Sequence, residues 1–308
     1  MFSVQLWAAL LVLQTTLSGT VASPLPRAAG IPILVGNDDG WAEANIRAFY
    51  TQAKAAGYNT LVSAPAYDKS GSGSSSTTPE PLTTPGEYDS IPSGSPAVGH
   101  DASDDHLWYV NAYPADGITY GLANLSATYL GGPPALVVTG PNQGSNLGIA
   151  TLFSGTVGAA AAAGMPAIAF SGASGSHRAY TELVAGDYSY VYADAALRLV
   201  DALLAGGVPY LPSGTALNVN FPEAGPGTAC ESGADVVFVM SRVYWALGLP
   251  IDAAQCGGNT LPTESSVVGT EGCYASVSLF DTSNKLDAGK ADQQTVVDAL
   301  GDFLSCLP

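Results

Sequence analysis

Two short runs rich in apolar residues, separated by an amphipathic segment, constrain the fold of this chain most strongly. The runs are residues 31–35 (IPILV) and 60–63 (TLVS), each of a length typical of a buried strand. Between them, apolar residues recur at helical spacing before Gly57, namely Ile46, Phe49, Tyr50 and Ala53. A strand, a helix and a second strand in this order predict a parallel sheet in an α/β domain.

Further segments extend the same pattern. Residues 135–138, 167–170 and 217–221 have the composition of buried strands, and residues 154–163 and 190–204 have the apolar spacing of helices. With 308 residues, of which 47% are hydrophobic, the chain is long enough for one large core. The pattern predicts an α/β fold with a mostly parallel sheet flanked by helices, in one domain over residues 31–308.

An extension of this domain is predicted from about residue 230. Residues 236–240 and 275–280 resemble two strands, which we interpret as a β-hairpin. A C-terminal helix follows, with one apolar stripe that must be buried: Val296, Val297, Leu300, Phe303 and Leu304. The stripe packs either on its own domain or on a second copy of the chain, so a homo-oligomer remains an alternative.

The N-terminus has the pattern of a secretory signal peptide. An apolar run over residues 7–17 is followed by small residues at 20–23, which predicts a signal peptide over residues 1–23 and a linker or pro-segment over 24–30. The run is too short to span a bilayer comfortably, and no later segment is longer, so we expect a secreted protein without a membrane partner.

All four cysteines lie in the last third of the chain. Secretion favours two disulfides, and their spacing matches no zinc pattern. Of the three pairings that four cysteines allow, we favour Cys256–Cys273 with Cys230–Cys306. Asn124-Leu125-Ser126 is the one N-glycosylation sequon, which predicts a glycoprotein.

The net charge narrows the choice of partners. A formal charge of -17, with only nine Lys and Arg, makes the surface strongly acidic. Such a surface repels a polyanion, so we expect no duplex nucleic acid partner. A small anionic substrate still binds where a metal ion and backbone amides reverse the local field.

The motif Asn37-Asp38-Asp39-Gly40 directly follows the first strand. The carboxyl ends of parallel strands are where open α/β sheets bind ligands. Two adjacent carboxylates repel each other, and a divalent cation keeps both ionised. Oxygen ligands favour Mg, Mn or Ca over zinc. The alternative is a turn in which Asp39 caps the next helix.

Two further polar segments follow predicted strands. Residues 139–148 (TGPNQGSNLG) combine glycines, which let a backbone approach a ligand, with Asn side chains. Phe153-Ser154-Gly155-Thr156 opens the Ala-rich helix, whose free amides and hydroxyls suit a phosphate. The alternatives are an ordinary polar loop and simple Ser or Thr capping.

The order of these motifs resembles the SurE family of survival proteins, which are 5′/3′-nucleotidases. The loop over residues 65–82, with Asp68-Lys69-Ser70-Gly71, is similar to the proline–acid–base–serine loop of that family. Residues 113–117 (YPADG) and 218–222 (NVNFP) resemble two further family motifs. Six motifs in the family's order cover roughly residues 31 to 222.

The resemblance implies a Rossmann-like fold and a metal-dependent phosphomonoesterase. It implies that one divalent metal ion, Mg or Mn, is held by four residues, namely Asp38, Asp39, Ser70 and Asn142. Asp38, Asp39 and Asn142 are the implied catalytic residues. The implied phosphate-binding residues are Asn37, Asn146, Ser154, Gly155 and Thr156. The implied substrates are nucleoside monophosphates, and a broad acid phosphatase is the other interpretation.

The chain departs from the family pattern at three positions. Ser74 and Phe153 stand where many members carry histidine, and Lys69 stands where the basic residue is usually Arg. Lysine does not grip a phosphate with two parallel bonds as Arg does. These departures keep a catalytically silent, secreted binding protein as an alternative function.

The histidines leave two other hypotheses open. A serine hydrolase needs a base, and only His100, His106 and His177 are present, without a Gly-x-Ser-x-Gly motif. The segment from His100 to His106, with Asp101, Asp104 and Asp105, suggests a second metal site. An acidic, solvated loop explains that segment equally well.

Overall fold

The computed structural model describes residues 30–246 and 251–308. The predicted signal peptide and residues 24–29 of the predicted linker lie outside the described residues. Among the described residues, no helix is both long and apolar enough to cross a membrane.

In the part of the chain that the structure describes, nine strands form one mixed sheet at the centre of the molecule, in the order β3-β4-β2-β1-β5-β6-β7-β9-β8. The five central strands β2, β1, β5, β6 and β7 are mutually parallel, which confirms the predicted α/β fold. The strands are β1 Pro32–Gly36, β2 Asn59–Pro65, β3 Val98–Asp101, β4 Asp104–Val110, β5 Leu136–Gln143, β6 Ala167–Gly172, β7 Thr215–Phe221, β8 Val237–Ser241 and β9 Tyr274–Asp281.

Helices cover both faces of the sheet. Ile33 and Val35 of β1 pack into one apolar core and Leu34 packs into a second, because successive side chains of a strand point to opposite faces. Helices α1 and α6 pack together over the first core, and α2 and α5 over the second. The helices are α1 Ala44–Ala55, α2 Pro114–Tyr120, α3 Ser126–Tyr129, α4 Ala150–Phe153, α5 Gly155–Ala162, α6 Tyr188–Ala205, α7 Glu264–Val268 and α8 Lys290–Leu300.

The C-terminal extension contains both predicted strands, but they do not form a hairpin. β8 and β9 pair in parallel, and β9 runs antiparallel to β7. Parallel neighbours need a long crossover, and the segment between Ser241 and Tyr274, which includes α7, provides it. A hairpin is found instead at the opposite edge of the sheet, where β3 and β4 pair antiparallel in the segment for which a second metal site and an acidic loop were the two alternatives.

The disulfides are present, but the favoured pairing was wrong. The bonds join Cys230 to Cys273 and Cys256 to Cys306. The alignment of β8 with β9 decides this pairing, because Val237 N–H donates to the Cys273 carbonyl and so holds Cys273 beside the segment that precedes β8. Sequence spacing does not contain this register.

The apolar stripe of the C-terminal helix finds its partner within the chain. Val296 and Leu300 of α8 are buried in the first core, and Leu304 after the helix joins them. The structure therefore confirms the C-terminal helix and shows that its stripe packs on its own domain.

Candidate active site

Four parallel strands end at one edge of the sheet and bring the polar motifs together. The Asn37–Gly40 motif follows β1, the loop with Ser70 follows β2, Asn142 lies at the end of β5, and the loop with His177 follows β6. The four strands are adjacent in the order β2-β1-β5-β6, so their following loops meet. A cavity of about 330 Å³ opens there, with Asp38, Ser70, Asn142, Asn146 and Ser154 among its lining residues.

Asp38 is buried directly against the first turn of α5. Its Oδ1 accepts a hydrogen bond of 2.5 Å from the Thr156 hydroxyl. A Cβ atom at Gly155 would lie 2.8 Å from the Asp38 Cβ, so only glycine permits this approach. Burial and the neighbouring Asp39 raise the pKa of Asp38 to about 7. Below about pH 7 Asp38 is therefore mostly protonated unless a cation binds beside it.

Asp39 is fully buried and does not cap the next helix. Its Oδ2 accepts a 2.8 Å hydrogen bond from the Gln143 amide, which fixes the carboxylate against the end of β5. The N-cap of α1 is instead Glu43, whose side chain accepts from the Asn45 amide. Burial raises the pKa of Asp39, and this too favours a nearby cation.

His177 joins this pair, although no sequence motif identified it. Its Nε2 lies 3.1 Å from Asp39 Oδ1, and its Nδ1 lies 3.8 Å from Asp68 Oδ2. The contact with Asp39 raises the pKa of His177 to about 9, so it is protonated at neutral pH. The only sequence signal was its place in the loop after β6, at the same edge as the Asp pair. Because its ring nitrogens face carboxylates, His177 is not paired with a serine as a serine hydrolase requires.

Ser70 and Asn142 are held by hydrogen bonds within their loops. Ser70 donates to Asp68 Oδ1 from both its amide, at 2.8 Å, and its hydroxyl, at 2.7 Å. Asn142 Nδ2 donates to the Gly144 carbonyl at 2.6 Å, which leaves Oδ1 as the acceptor of this side chain. Both residues thus have an oxygen with a lone pair available, and both line the cavity that Asp38 also lines.

Two of the candidate phosphate-binding residues, Asn146 and Ser154, line the cavity. Ser154 is the N-cap of α5 and accepts from the Val157 amide at 3.1 Å, so the capping interpretation is confirmed. Asn146 is buried and donates from Nδ2 to Ser171 Oγ at 2.8 Å. Asn37 Nδ2 donates to the Gly40 carbonyl at 2.8 Å. The structure thus brings Asn37, Asn146, Ser154, Gly155 and Thr156 to the same edge of the sheet as Asp38.

Two buried oxygens at this edge of the sheet, without a hydrogen-bond partner in the described part of the chain, indicate that a cation fits the site. Asn37 Oδ1 and Ser72 Oγ have no hydrogen-bond partner among the residues that the structure describes. Orphaned buried oxygens need an ion or an ordered water. Together with two carboxylates of raised pKa, they form an oxygen-rich donor set that suits a hard divalent cation.

The other predicted metal cluster lies on the β3–β4 hairpin. Ligand atoms of Asp104, Asp105 and His106 lie within 4.8 Å of one another, whereas His100 and Asp101 are not in this group. Asp104 is already paired with Lys54 at 2.8 Å. The second metal site therefore stays a prediction.

Comparisons with known proteins agree with the family resemblance that the sequence motifs indicate. Residues 33–244 match the family model described as survival protein SurE. The chain is 37% identical over 284 residues to an acid phosphatase of Yarrowia lipolytica, covering 81% of this chain and 79% of that protein. It is 34% identical over 194 residues to a 5′-nucleotidase SurE of Lawsonia intracellularis, covering 62% of this chain and 66% of that protein.

The crystal structure of a SurE protein from Aquifex aeolicus has the same fold, with a TM-score of 0.56 at 23% identity. The alignment covers 88% of this chain and 100% of that one. Since the family model also matches more than half of the sequence, the chain belongs to the SurE family.

Proposed function

We propose that this protein is a secreted, metal-dependent phosphomonoesterase that hydrolyses nucleoside monophosphates. The observation that carries the proposal is the contact between Asp38 and the start of α5, where Thr156 donates to the carboxylate and Gly155 packs on it. A metal-binding carboxylate and a phosphate-binding helix terminus thus adjoin one cavity. The names of the relatives, acid phosphatase and 5′-nucleotidase, agree with this chemistry.

Four residues would hold the metal ion, namely Asp38, Asp39, Ser70 and Asn142. All four offer oxygen ligands, so Mg or Mn is the expected ion. When bound, such an ion polarises the phosphoryl group and lowers the pKa of a water molecule.

The chain's own groups orient the phosphate. The first turn of α5 directs its amides and the positive end of its dipole toward the cavity, which favours the charge of a phosphoryl group in the transition state. Ser154 caps this turn, and Gly155 and Thr156 belong to it. Asn146 lines the same cavity as Ser154, and Asn37 directly precedes Asp38. Thr156 has a second task, because its hydroxyl fixes the orientation of Asp38.

The lip of the cavity favours substrates with an aromatic leaving group. Phe153 lines the cavity and its side chain is 63% exposed, which is unusual for a residue of this size. Its backbone is fixed, because Gly73 N–H donates to the Phe153 carbonyl at 2.8 Å. An exposed aromatic ring on an anchored backbone beside the proposed phosphate site suits stacking with a nucleobase. A broad acid phosphatase is the second candidate, and the Yarrowia lipolytica relative favours it.

The remaining predictions on the whole protein belong to the same proposal. Two disulfides agree with an oxidising, extracellular location, for which the signal peptide over residues 1–23 would provide the route. Asn124 of the proposed glycosylation site is exposed, whereas Ser126 of the same sequon is buried. Residues 31–308 would act as one catalytic domain, either alone or as a homo-oligomer.

Phosphate release tests the proposed function. AMP, CMP, an aryl phosphate and glycerol phosphate would be assayed from acidic to neutral pH with EDTA, and then with Mg or Mn added. We expect release that chelation abolishes and metal restores. Asp38→Asn should lose it, whereas Asp105→Asn, a change at an exposed carboxylate on the β3–β4 hairpin, should keep it. No release by the wild type under any condition would favour the silent binding protein.

A further inference from the structure

A buried carboxylate from the C-terminal extension reaches the loop beside the proposed phosphate site. Glu264 is the first residue of α7, is fully buried, and lies outside the segment matched by the family model. Its Oε1 accepts a 2.7 Å hydrogen bond from Asn218 Nδ2, and its Oε2 accepts from the Gly148 amide at 3.2 Å. One side chain thus joins strand β7 to the end of the loop over residues 142–148.

The bond to Asn218 continues directly to Asn146. Asn218 Nδ2 also donates to the Asn146 carbonyl at 2.9 Å, so both amide hydrogens are used. The Oδ1 atom of Asn218 is buried without a hydrogen-bond partner among the described residues. Only the two donated bonds therefore define the orientation of this amide, and Glu264 accepts one of them.

Asn146 is held by further partners on the same side. The backbone N–H of Asn146 donates to Asn220 Oδ1 at 2.7 Å. In return, Asn220 Nδ2 donates to the backbone carbonyl of Asn146 at 3.2 Å. These groups are buried, so the loss of one partner leaves a polar atom unsatisfied and weakens the rest of the network. The position of Asn146 thus depends on a chain of bonds that ends at Glu264.

We infer that Glu264 is a positioning residue, through which the C-terminal extension fixes the loop over residues 142–148 for phosphate binding. This inference rests on the proposed function of that loop. Glu264 holds the loop at two points, at Gly148 directly and at Asn146 through Asn218. A carboxyl side chain suits this task because its two oxygens accept from two different elements at once.

The test compares Glu264→Ala and Glu264→Gln with a matched control. Arg198→Met is the control, because Arg198 also joins the core to the extension by two hydrogen bonds, to the carbonyls of Gly233 and Val236. Neither of these two bonds of Arg198 involves a residue of the loop over residues 142–148. The measurements are KM and kcat for AMP, the Kd of inorganic phosphate by calorimetry with Mn²⁺ present, and the melting temperature.

We expect Glu264→Ala to raise both KM and the phosphate Kd by about tenfold, the equivalent of roughly 1.4 kcal/mol. Glu264→Gln keeps one acceptor and should raise KM and the phosphate Kd by a smaller factor. This variant also tests the inference if Glu264→Ala does not fold. Arg198→Met should lower the melting temperature and leave KM and Kd within twofold of the wild type.

Two results would overturn the inference. One is an unchanged KM and phosphate Kd in Glu264→Gln, and the other is an equal rise in Arg198→Met, since that would indicate general loosening. A wild type that neither releases nor binds phosphate would instead refute the proposed function itself, so the two failures are distinguishable.

Discussion

His177 Nε2 lies 3.1 Å from Asp39 Oδ1, so an imidazole contacts the carboxylate pair that follows β1. The contact raises the pKa of His177 to about 9, and burial raises that of Asp38 to about 7. Near neutral pH the site thus contains a proton on His177 and, for part of the molecules, one on Asp38. A divalent cation must compete with both protons, which links metal binding to pH.

Metal affinity should rise with pH. Binding of Mn²⁺ displaces the proton of Asp38, and each proton released changes the affinity by up to about tenfold per pH unit below the pKa. We expect the Kd for Mn²⁺ to fall by at least about tenfold between pH 5.5 and 7.5, as measured by calorimetry in two buffers of different ionisation enthalpy. A Kd that does not change over this range would contradict the raised pKa of Asp38.

Replacing His177 should strengthen metal binding below neutral pH. The imidazolium repels an incoming divalent ion, and Gln removes this charge while it keeps a polar side chain. We expect the Kd for Mn²⁺ at pH 6 to be roughly tenfold lower in His177→Gln than in the wild type. His106→Gln, a change on the distant β3–β4 hairpin, should have no effect. Weaker binding in His177→Gln would instead indicate that the imidazole itself coordinates the metal.

The stability of the metal-free protein should fall as the pH rises. Asp38 titrates near 3.8 in the unfolded chain and near 7 in the folded one, so the unfolded state releases its proton first. The free energy of unfolding therefore falls as the pH rises between these two pKa values, by up to about 1.4 kcal/mol per pH unit from this group. His177 acts in the same direction between 6.5 and about 9.

Urea unfolding in EDTA at pH 5 and pH 8 measures this dependence. We expect a lower free energy of unfolding at pH 8, and a smaller difference when Mn²⁺ is present, because the ion stabilises the ionised carboxylates. Asp38→Asn removes one titrating group and should reduce the slope in EDTA. A slope that this substitution leaves unchanged would assign the pH dependence to other groups, such as Glu43, whose pKa burial raises to about 8.

Gly155→Ala should impair catalysis by displacing Asp38. The added Cβ would meet the Asp38 Cβ at 2.8 Å and its Oδ2 at 2.9 Å, so the carboxylate or the helix start must move. We expect kcat/KM for AMP to fall by at least about a hundredfold, because misplacement of about 1 Å has that effect. Gly289→Ala is the matched control, since its Cβ would meet no atom within 4 Å. Activity within twofold of the wild type in Gly155→Ala would refute the role of this contact.

Phe153→Ala should change substrate preference rather than general activity. If the ring stacks on the leaving group, KM for AMP and aryl phosphate should rise by roughly fivefold, or about 1 kcal/mol, with little change for glycerol phosphate. Val184→Ala, which shortens another exposed apolar side chain, should not affect either substrate class. An equal rise for all substrates would argue against stacking.

Much of the central sheet could be predicted because its signals are local. The apolar run of β1 and the helical spacing in α1 each lie within a few residues, and burial on both faces gives a continuous apolar strand. The motifs at the carboxyl ends of β1 and β5 were recognised for the same reason. The hairpin of β3 and β4 was missed because its strand β3 is half-exposed and consists of Val98, Gly99, His100 and Asp101, so its sequence resembles a loop.

The sequence by itself determined the α/β class, the family and the positions of Asp38, Asp39, Ser70 and Asn142 relative to their strands, because each depends on neighbours along the chain. The tertiary structure alone decided the pairing of the cysteines, the parallel alignment of β8 with β9, and the contacts of His177 and Glu264. Each of these depends on the register of strands or on loops distant in sequence, and a local pattern of residue types does not record which distant partner a side chain meets.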